Sequence, residues 1–491
     1  MRKRFEQQLS MGIVPIKEVK FEGRTRHQLP PLLQALQYVF ATPALNQQVF
    51  VLLESKILKG KKRTGRLGMS LWEILVLSLV RLNLDIDYDF LLNTANHHEQ
   101  VRGILGVHQQ GFMSGKHYKY QTLLDNVSLL DEETIRQINE LIVEHAHGLI
   151  KKKEAAEALA LNIKVDSYAV ERTVHFPTDL NLTWDSGRKC LAVVGKLRKE
   201  VSLSGWGKLN FHYNTLRKVY RKASEIHRKK GTNYHQRLKT ATEEYLQKAR
   251  VISEKVKKSL LEGATQCQGG KFNIKQFGLL QELNYYREML DKHIDLVERR
   301  IIKGEKIPHG EKVFSIFEKE VEWLNKGKQG SVVELGHNVS IATSQYQYIM
   351  DFEIMIKTAD PAAGLALGVR ISEKYKVDYT LASISFDRGY YSTLVKKRLS
   401  KDYKEVIMPK RGKKTKKQEA EESEASFQKL RKAHSTVESN INQLEHHGVN
   451  RCPDKGLKAF KRYVALGILS YNLHKLGLLL KKMEVPLAKA A

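Results

Sequence analysis

Apolar and polar positions alternate along residues 161–179, LNIKVDSYAVERTVHFPTD, around which the rest of the chain is organised. Ile163 and Val165 alternate with polar neighbours, the period-two pattern of a strand with one buried face. Asp166 follows where a core strand would continue with an apolar residue, and an unpaired carboxylate buried there costs several kcal/mol. Such a residue suits an open rim of the core, or a place where a cation offsets its charge. Residues 170–176, VERTVHF, alternate again and predict an antiparallel partner strand that Pro177 ends. Strand patterns resume at 331–344, 348–356, 379–386 and 405–408, and Asp360-Pro361 reads as the capped start of a helix to about 374. The 379–386 pattern ends in Asp387, so a second apolar run closes on a carboxylate.

Helical periods fill the remainder. Short helices are expected at 31–42, from Pro43 to about 58, at 90–96 and at 101–106, with a longer one over 123–147 that Asp131 caps in part. Ser70-Leu71-Trp72-Glu73 is a capping box opening an apolar helix to about 84. The basic run 59–66, KGKKRTGR, reads as a linker. Three heptad-like stripes follow: Leu209, Tyr213, Leu216 and Tyr220; then Leu238, Tyr245, Ile252 and Val256; then Leu280 to Ile301. Long helices packed on one another are predicted, set inside another fold. A helix over 427–446 carries Ala433, Val437, Ile441 and Leu444 on its buried face, and 458–482 closes the chain as an amphipathic helix. The expected divisions are a basic arm (1–30), an N-terminal helical domain (31–150), a split core (151–187 and 311–455), a helical insertion (188–310) and a C-terminal helix (456–491).

Charge changes the picture. The 491 residues carry 83 Lys and Arg against 54 Asp and Glu, a net of +29. Residues 188–303 hold 27 of the cations against 11 acids, so more than half the excess lies on the insertion. An excess of this size calls for a polyanion, and nucleic acid is the expected partner. Arg217, Lys218, Arg221 and Lys222 flank the first stripe and form the candidate phosphate-binding face, with a second basic loop at 410–417, KRGKKTKK. The three cysteines lie far apart with no CxxC pair, which fits neither a disulfide framework nor a zinc module. The longest apolar stretch, 463–480, is interrupted by Asn472, His474 and Lys475, so no membrane association and a soluble, intracellular protein are expected.

Candidate chemistry rests on three carboxylates. Asp166 and Asp387 end strands that can share one rim of a sheet, and Glu438 borders the buried face of the 427–446 helix, with Arg431 and His434 on the adjoining polar face. Three such groups can hold two Mg²⁺ ions about 4 Å apart for phosphodiester chemistry. Other clusters read as structural: His446, His447 and Cys452 as a helix end closed by Gly448, Glu171 as a solvent-facing strand residue, and Trp184 and Trp206 as core.

In order, KVDSYAVERTVHFPTD, VELGHNVSIA, SFDRGYYS and HSTVESNINQLEHHGVNRCPDKG resemble insertion-sequence transposases of the DDE type, most closely the group of not-yet-classified insertion sequences. The resemblance runs from about residue 65 to 480. It implies an α/β fold with large all-α parts, in which a ribonuclease-H-like mixed sheet is interrupted by the helical insertion. It implies Asp166, Asp387 and Glu438 as the catalytic and metal-binding triad, two Mg²⁺ or Mn²⁺ ions per site, and Arg388, Arg431 and His434 near DNA. Double-stranded DNA, both the terminal inverted repeats and the target, would be the substrate of a dimer or larger assembly in a prokaryotic cytoplasm, at the nucleoid. Many relatives carry Arg four residues before the Glu and Lys seven after it, where this chain has His434 and Glu445, which leaves Glu445 as the alternative third carboxylate. Much-studied members place an insertion after the second Asp, whereas here it falls between the two aspartates. The rival readings are a catalytically inactive basic DNA-binding protein and a metal-dependent nuclease or resolvase with the same core.

Overall fold

A computed structural model of the chain describes residues 2–5, 13–21, 27–60, 67–107, 116–153, 159–268, 273–325 and 333–483. Residues 61–66 of the predicted linker and residues 1, 6–12 and 22–26 of the arm therefore lie outside the described residues. The fold is α/β, with a seven-stranded mixed sheet. The chain divides into two compact units, Met1–Thr173 with Leu324–Ala491, and Val174–Trp323.

In the first unit six of the strands are β1 (Ala160–Arg172), β2 (Val333–Thr343), β3 (Ile349–Ile354), β4 (Thr380–Phe386), β5 (Glu405–Ile407) and β6 (Arg451–Cys452). β1, β2 and β3 form an antiparallel meander, and β4 and then β5 add on the other side of β1, parallel to it. β6 pairs in parallel with the far end of β1, at Glu171 and Arg172. The expected strand–turn–strand at Asp166 is corrected: β1 is one 13-residue strand running through it. β2 pairs with β1 continuously from Lys164 to Glu171, so the ladder carries the strand past the carboxylate and no turn is needed. Residues 170–172 extend β1 itself, and no partner strand forms from 173 to 178.

The C-terminal helix, Leu457–Met483, also departs from expectation. It is buried around its circumference rather than along one stripe, with Phe460, Val464, Ile468, Tyr471 and Leu476 all within the core. It packs on helices Leu29–Ala41, Leu71–Asn83 and Glu132–Lys153 and on β3. The N-terminal helices and the sheet therefore share one hydrophobic core, so 31–150 is not a separate domain. This is the one helix among the described residues with the length and apolar composition to cross a bilayer, and 78% of its apolar window is buried inside the protein. Gly477 permits the closest approach: a Cβ there would lie 1.9 Å from the carbonyl oxygen of Pro31. Asn472, fully buried, donates to Asn139 Oδ1 at 2.7 Å and to the Ile349 carbonyl at 2.8 Å, and accepts from the Ile349 N–H at 2.9 Å. That side chain ties the helix to β3.

Local signals hold elsewhere. Ser70 and Glu73 form the reciprocal capping box of helix Leu71–Asn83. The single helix expected over 123–147 is two, Tyr120–Val127 and Glu132–Lys153, the second capped by Asp131 accepting from Thr134 N–H at 3.1 Å.

The second unit is all-helical in its core. Helices Asp179–Leu197, Leu209–Lys229, Tyr234–Gln268 and Ile274–Val297 bury Leu216, Tyr245, Ile252, Val256, Leu283 and Leu290 together, the apolar stripes read from the sequence. The unit starts at 174 rather than 188, because helix Asp179–Leu197 contributes Val193, Val194 and Leu197 to this core. Trp184 stacks on Tyr220 with centroids 5.3 Å apart, and Trp206 donates to Ser259 Oγ at 2.7 Å from a buried site, so both are core residues.

Asn472→Ala removes the acceptor of the Ile349 N–H and the donor to Asn139 Oδ1, while the Ile349 carbonyl keeps the Asn139 side-chain amide at 3.1 Å. Urea unfolding is expected to show a loss of about 3 kcal/mol, from buried polar groups left unpaired. Lys481→Ala, at the exposed end of the same helix, is expected to change stability by less than about 0.5 kcal/mol.

Candidate active site

The two aspartates meet through strand register. Val165 of β1 pairs with Phe386 of β4, so Asp166 and Asp387 are the next residues on neighbouring parallel strands. Adjacent strands lie about 4.8 Å apart, and laterally aligned residues share a face. That face alternates with the buried Ile163–Val165 face and carries Lys164, Asp166, Ser385 and Asp387. β4 ends at Phe386 and β6 reaches only Glu171 and Arg172, so β1 between them has no strand neighbour on this side among the described residues. Asp166 therefore opens onto a gap in the sheet. It is half-buried, while Asp387, leading into the short turn Arg388–Tyr390, is exposed.

Two hydrogen bonds dock the third element. The expected 427–446 helix is divided into Ala425–His434 and Thr436–Leu444, with Ser435 between. On either side of that junction His434 Nδ1 meets Ser385 Oγ at 3.0 Å and the Lys164 ammonium donates to Thr436 Oγ1. Val437, Asn440 and Leu444 turn inward, which leaves Glu438 exposed two residues past the Lys164 anchor. Glu438 acts electrostatically on Asp166, as do Asp387 and Asp360.

These charges set the local electrostatics. Burial pushes the Asp166 carboxyl up to about 6; the Ser167 N–H, donating at 2.7 Å, opposes this, and Asp387, Glu438 and Asp360 add to it. Burial and then Asp387 raise Asp360. Burial lowers the His434 imidazole to about 4, against the attraction of Asp387, so the ring is neutral. Its Nε2 has no hydrogen-bond partner among the described residues. Burial also lowers Lys164.

The remaining sequence candidates fall as follows. Glu445 begins the distorted turn Glu445–Val449 and lines a separate cleft of about 780 Å³ with Asp85, Asp87, Glu171 and Glu334. Its influence reaches Tyr168, two residues beyond Asp166. Glu171 pairs with Arg451 at 2.6 Å. Arg388 is exposed beside Asp387, and Arg431 stands 3.8 Å from Glu422. His434 lies beneath the rim rather than on it. His447 bonds the Asn83 carbonyl at 3.0 Å and Gly448, at φ +78°, turns the chain, as a helix end requires. Among the described residues no group of three or more His, Cys, Asp or Glu side chains that could hold a metal ion is drawn together.

In the second unit Arg217, Lys218, Arg221 and Lys222 are all exposed. Lys218, Arg221 and Lys222 line a cleft of about 840 Å³ that also takes in Lys229, Lys230 and Arg237, with Glu225 its one acid; Arg217 is outside it. Lys222 is paired with Glu244 at 2.7 Å and Lys229 with Glu225 at 2.5 Å. Lys230 holds φ +54°, a left-handed conformation at a non-glycine residue, where the chain turns from one helix to the next.

Sequence reasoning missed Asp360, Lys164 and Ser385. Lys164 and Ser385 had a signal: each stands two residues before a candidate aspartate, on the same face of its strand. Asp360 was read as a helix cap, but Ala359 is the N-cap and no side chain caps this helix. Comparison with family models, curated proteins and solved structures finds no match to the chain.

An acid whose pKa is raised in the folded chain favours folding when protonated. In chelator, the Asp166 contribution is therefore present near pH 4 and lost as pH rises through 6. The wild type minus Asp166→Asn stability difference is expected to fall by about 2–3 kcal/mol across that window, as read by urea unfolding at each pH.

Proposed function

We propose that the chain is a DDE-type DNA transposase, cleaving phosphodiester bonds at element ends and joining the 3′-hydroxyl to target DNA. One observation carries the reading: Asp387 and Glu438 both act electrostatically on Asp166, and none of the three has an ion-pair partner among the described residues, in a chain of net charge +29. Four carboxylates that are buried or nearly so are each compensated. Asp454 meets Arg81 at 2.8 Å, Asp185 meets Arg188 at 2.7 Å, Glu422 meets Lys414 at 2.7 Å and Asp351 meets Arg370 at 2.6 Å. The strand order β3-β2-β1-β4-β5, an antiparallel meander followed by two parallel strands, supports a ribonuclease-H-like core.

The donor chemistry fits Mg²⁺ or Mn²⁺. Asp166, Asp387 and Glu438 offer only oxygen ligands on a rim open to water, which hard divalent cations prefer. The three do not close on one ion in this structure, so the match lies in donor type and uncompensated charge. When bound, a pair of such ions supplies acidity to a water or 3′-hydroxyl and neutralises the leaving oxygen. The chain's own groups arrange the rest. Lys164 fixes Thr436 and Ser385 meets the neutral His434, so the helix that bears Glu438 is held at the strands. Arg388 stands at the rim beside Asp387, where it can meet a phosphate.

The cleft of the second unit supports DNA as substrate. Four of its cations, Lys218, Arg221, Lys230 and Arg237, have no ion-pair partner among the described residues. Changing these four to Gln is expected to weaken DNA binding equally across sequences. It should reduce the log–log salt slope by roughly 3 to 4, at about 0.9 per phosphate contact. An unchanged slope in the folded variant would move binding elsewhere.

The decisive assay incubates the chain with duplex from either side of its own coding sequence, together with target DNA and Mg²⁺ or Mn²⁺. Nicked ends and joined strand-transfer products are expected. Asp166→Asn, Asp387→Asn and Glu438→Gln should abolish both while keeping DNA binding within a few fold, and Glu445→Gln should retain turnover. DNA bound but never cut would leave a binding protein, and cutting without joining would leave a nuclease.

A further inference from the structure

We propose that the second unit carries a pocket for a single nucleotide, its base stacked on an aromatic cluster and its phosphate met by converging cations. The pocket lies wholly within Val174–Trp323 and stands whether or not the chain cuts DNA. A cavity of about 250 Å³ opens there between the segment before helix Asp179–Leu197, the end of helix Leu209–Lys229 and the stretch 300–323. That volume is below the roughly 300–1,000 Å³ of sites for drug-sized ligands, so it admits one base with its sugar and no duplex. Phe176, Phe314 and Trp323 line it. The Trp323 ring is flanked by Phe176 at 5.5 Å and by Phe314 at 5.4 Å between centroids.

Two properties separate these rings from a piece of core. Phe176 is 61% exposed and Phe314 and Trp323 are half-buried, whereas Trp206 of the same unit is 1% exposed. Rings left facing water forgo the burial that a core would give them, and a flat ligand supplies it. Charge then chooses among flat ligands. His227, Arg300 and Lys312 converge on the cavity from three parts of the chain. The one acid of its lining, Asp179, is taken up by Arg300 at 2.9 Å, and His227 and Lys312 have no ion-pair partner among the described residues. Partial burial, and then the charges of Arg300 and Lys230, lower the His227 imidazole, so the surroundings of the cavity are already positive. An alkylammonium, the usual cation held by aromatic walls, would be repelled here. A nucleotide satisfies both halves: stacking accepts the face of any base, and Lys or Arg meets the phosphate. The base has to be unpaired, because a base inside a duplex offers only its edges. Two sources carry this chemistry, a free mononucleotide and the unpaired end of a DNA strand.

The test follows the fluorescence of 2-aminopurine, which is quenched on stacking, with the full chain in chelator so that no cutting intervenes. The probes are the 2-aminopurine deoxyriboside with and without its 5′-phosphate, a blunt duplex with the base paired inside it, and a duplex bearing it as one unpaired 3′ base. The mononucleotide is expected to be quenched. Phe176→Ala should weaken its binding about fivefold or more, the low end of what one base–aromatic stack contributes. Because Phe176 is exposed, this variant should keep the wild-type melting temperature. Lys312→Gln, also at an exposed position, should weaken the mononucleotide several-fold and leave the nucleoside unchanged. Tighter binding of the unpaired 3′ base than of the mononucleotide would identify a strand end as the source, and equal or weaker binding a free nucleotide. No quenching of either unpaired probe would overturn the proposal. So would quenching that both Phe176→Ala and Trp323→Leu leave unchanged, or quenching of the paired base as strong as that of the unpaired one. If Phe176→Ala melts early, Lys312→Gln decides: wild-type affinity for the mononucleotide in that variant would overturn the assignment.

Discussion

A one-residue shift in the pairing of β1 with β4 decides whether Asp166 and Asp387 share a face. Leu161 pairs with Leu381, but Asn162 pairs with Ser383, so Ala382 is left over as a bulge. Continued without that shift, the ladder would set Asp166 beside Phe386 and Ser167 beside Asp387. A slip of one residue moves every side chain to the other face. Asp387 would then face the apolar helix Asp360–Tyr375, and Lys164 would lose Ser385 as its neighbour. Bulges recur next to active sites because they re-aim side chains without ending the strand.

The register has to be held against the repulsion it creates. Ile163, Val165, Ile384 and Phe386 are all buried, so the apolar face resists any slide that would bring polar residues inward. On the polar face the Lys164–Thr436 and Ser385–His434 bonds fix the helix that bears Glu438. Beneath these elements the Leu457–Met483 helix joins N-terminal helices and sheet into one core, so the rim stands on a large buried mass. Local conflict of this kind, carboxylates that repel one another with no ion-pair partner among the described residues, persists only where the surrounding structure over-determines it.

Much of this was legible in the chain and some was not. The alternation of Ile163 and Val165 and of Ile384 and Phe386 marked the strands. Ser70 and Glu73 marked a helix start, and the heptad-like stripes marked the second unit's core. Asp166 was read as a strand end because pattern reasoning sees one strand at a time. Its ladder to β2, where Asp166 pairs with Ile341, is what carries the strand onward. The last helix was read as amphipathic from its Lys and His positions. Lys475 in fact reaches Gln347 at 2.7 Å and His474 the Gln28 carbonyl at 3.1 Å, so polar residues inside it are satisfied by tertiary partners. The Ala382 bulge has no signal in a single sequence, and so neither did the choice between aligned and offset aspartates.

The distribution of charge joins the two units in one argument. With 83 basic residues, compensating three more carboxylates by a salt bridge would take a single substitution nearby. Lys164 is two residues from Asp166 on the same face, yet its ammonium goes to a threonine hydroxyl. His434 is near Asp387, yet burial keeps it neutral. Both are groups that could have cancelled the charge and are held so that they do not. In the second unit Lys218, Arg221, Lys230 and Arg237 share a cleft with one acid among its lining residues. Concentrated negative charge on a sheet rim and concentrated positive charge in a helical cleft are each unfavourable in the isolated chain. A divalent cation would relieve the first and a polyanion would relieve the second, which is what the proposed function asks of each unit.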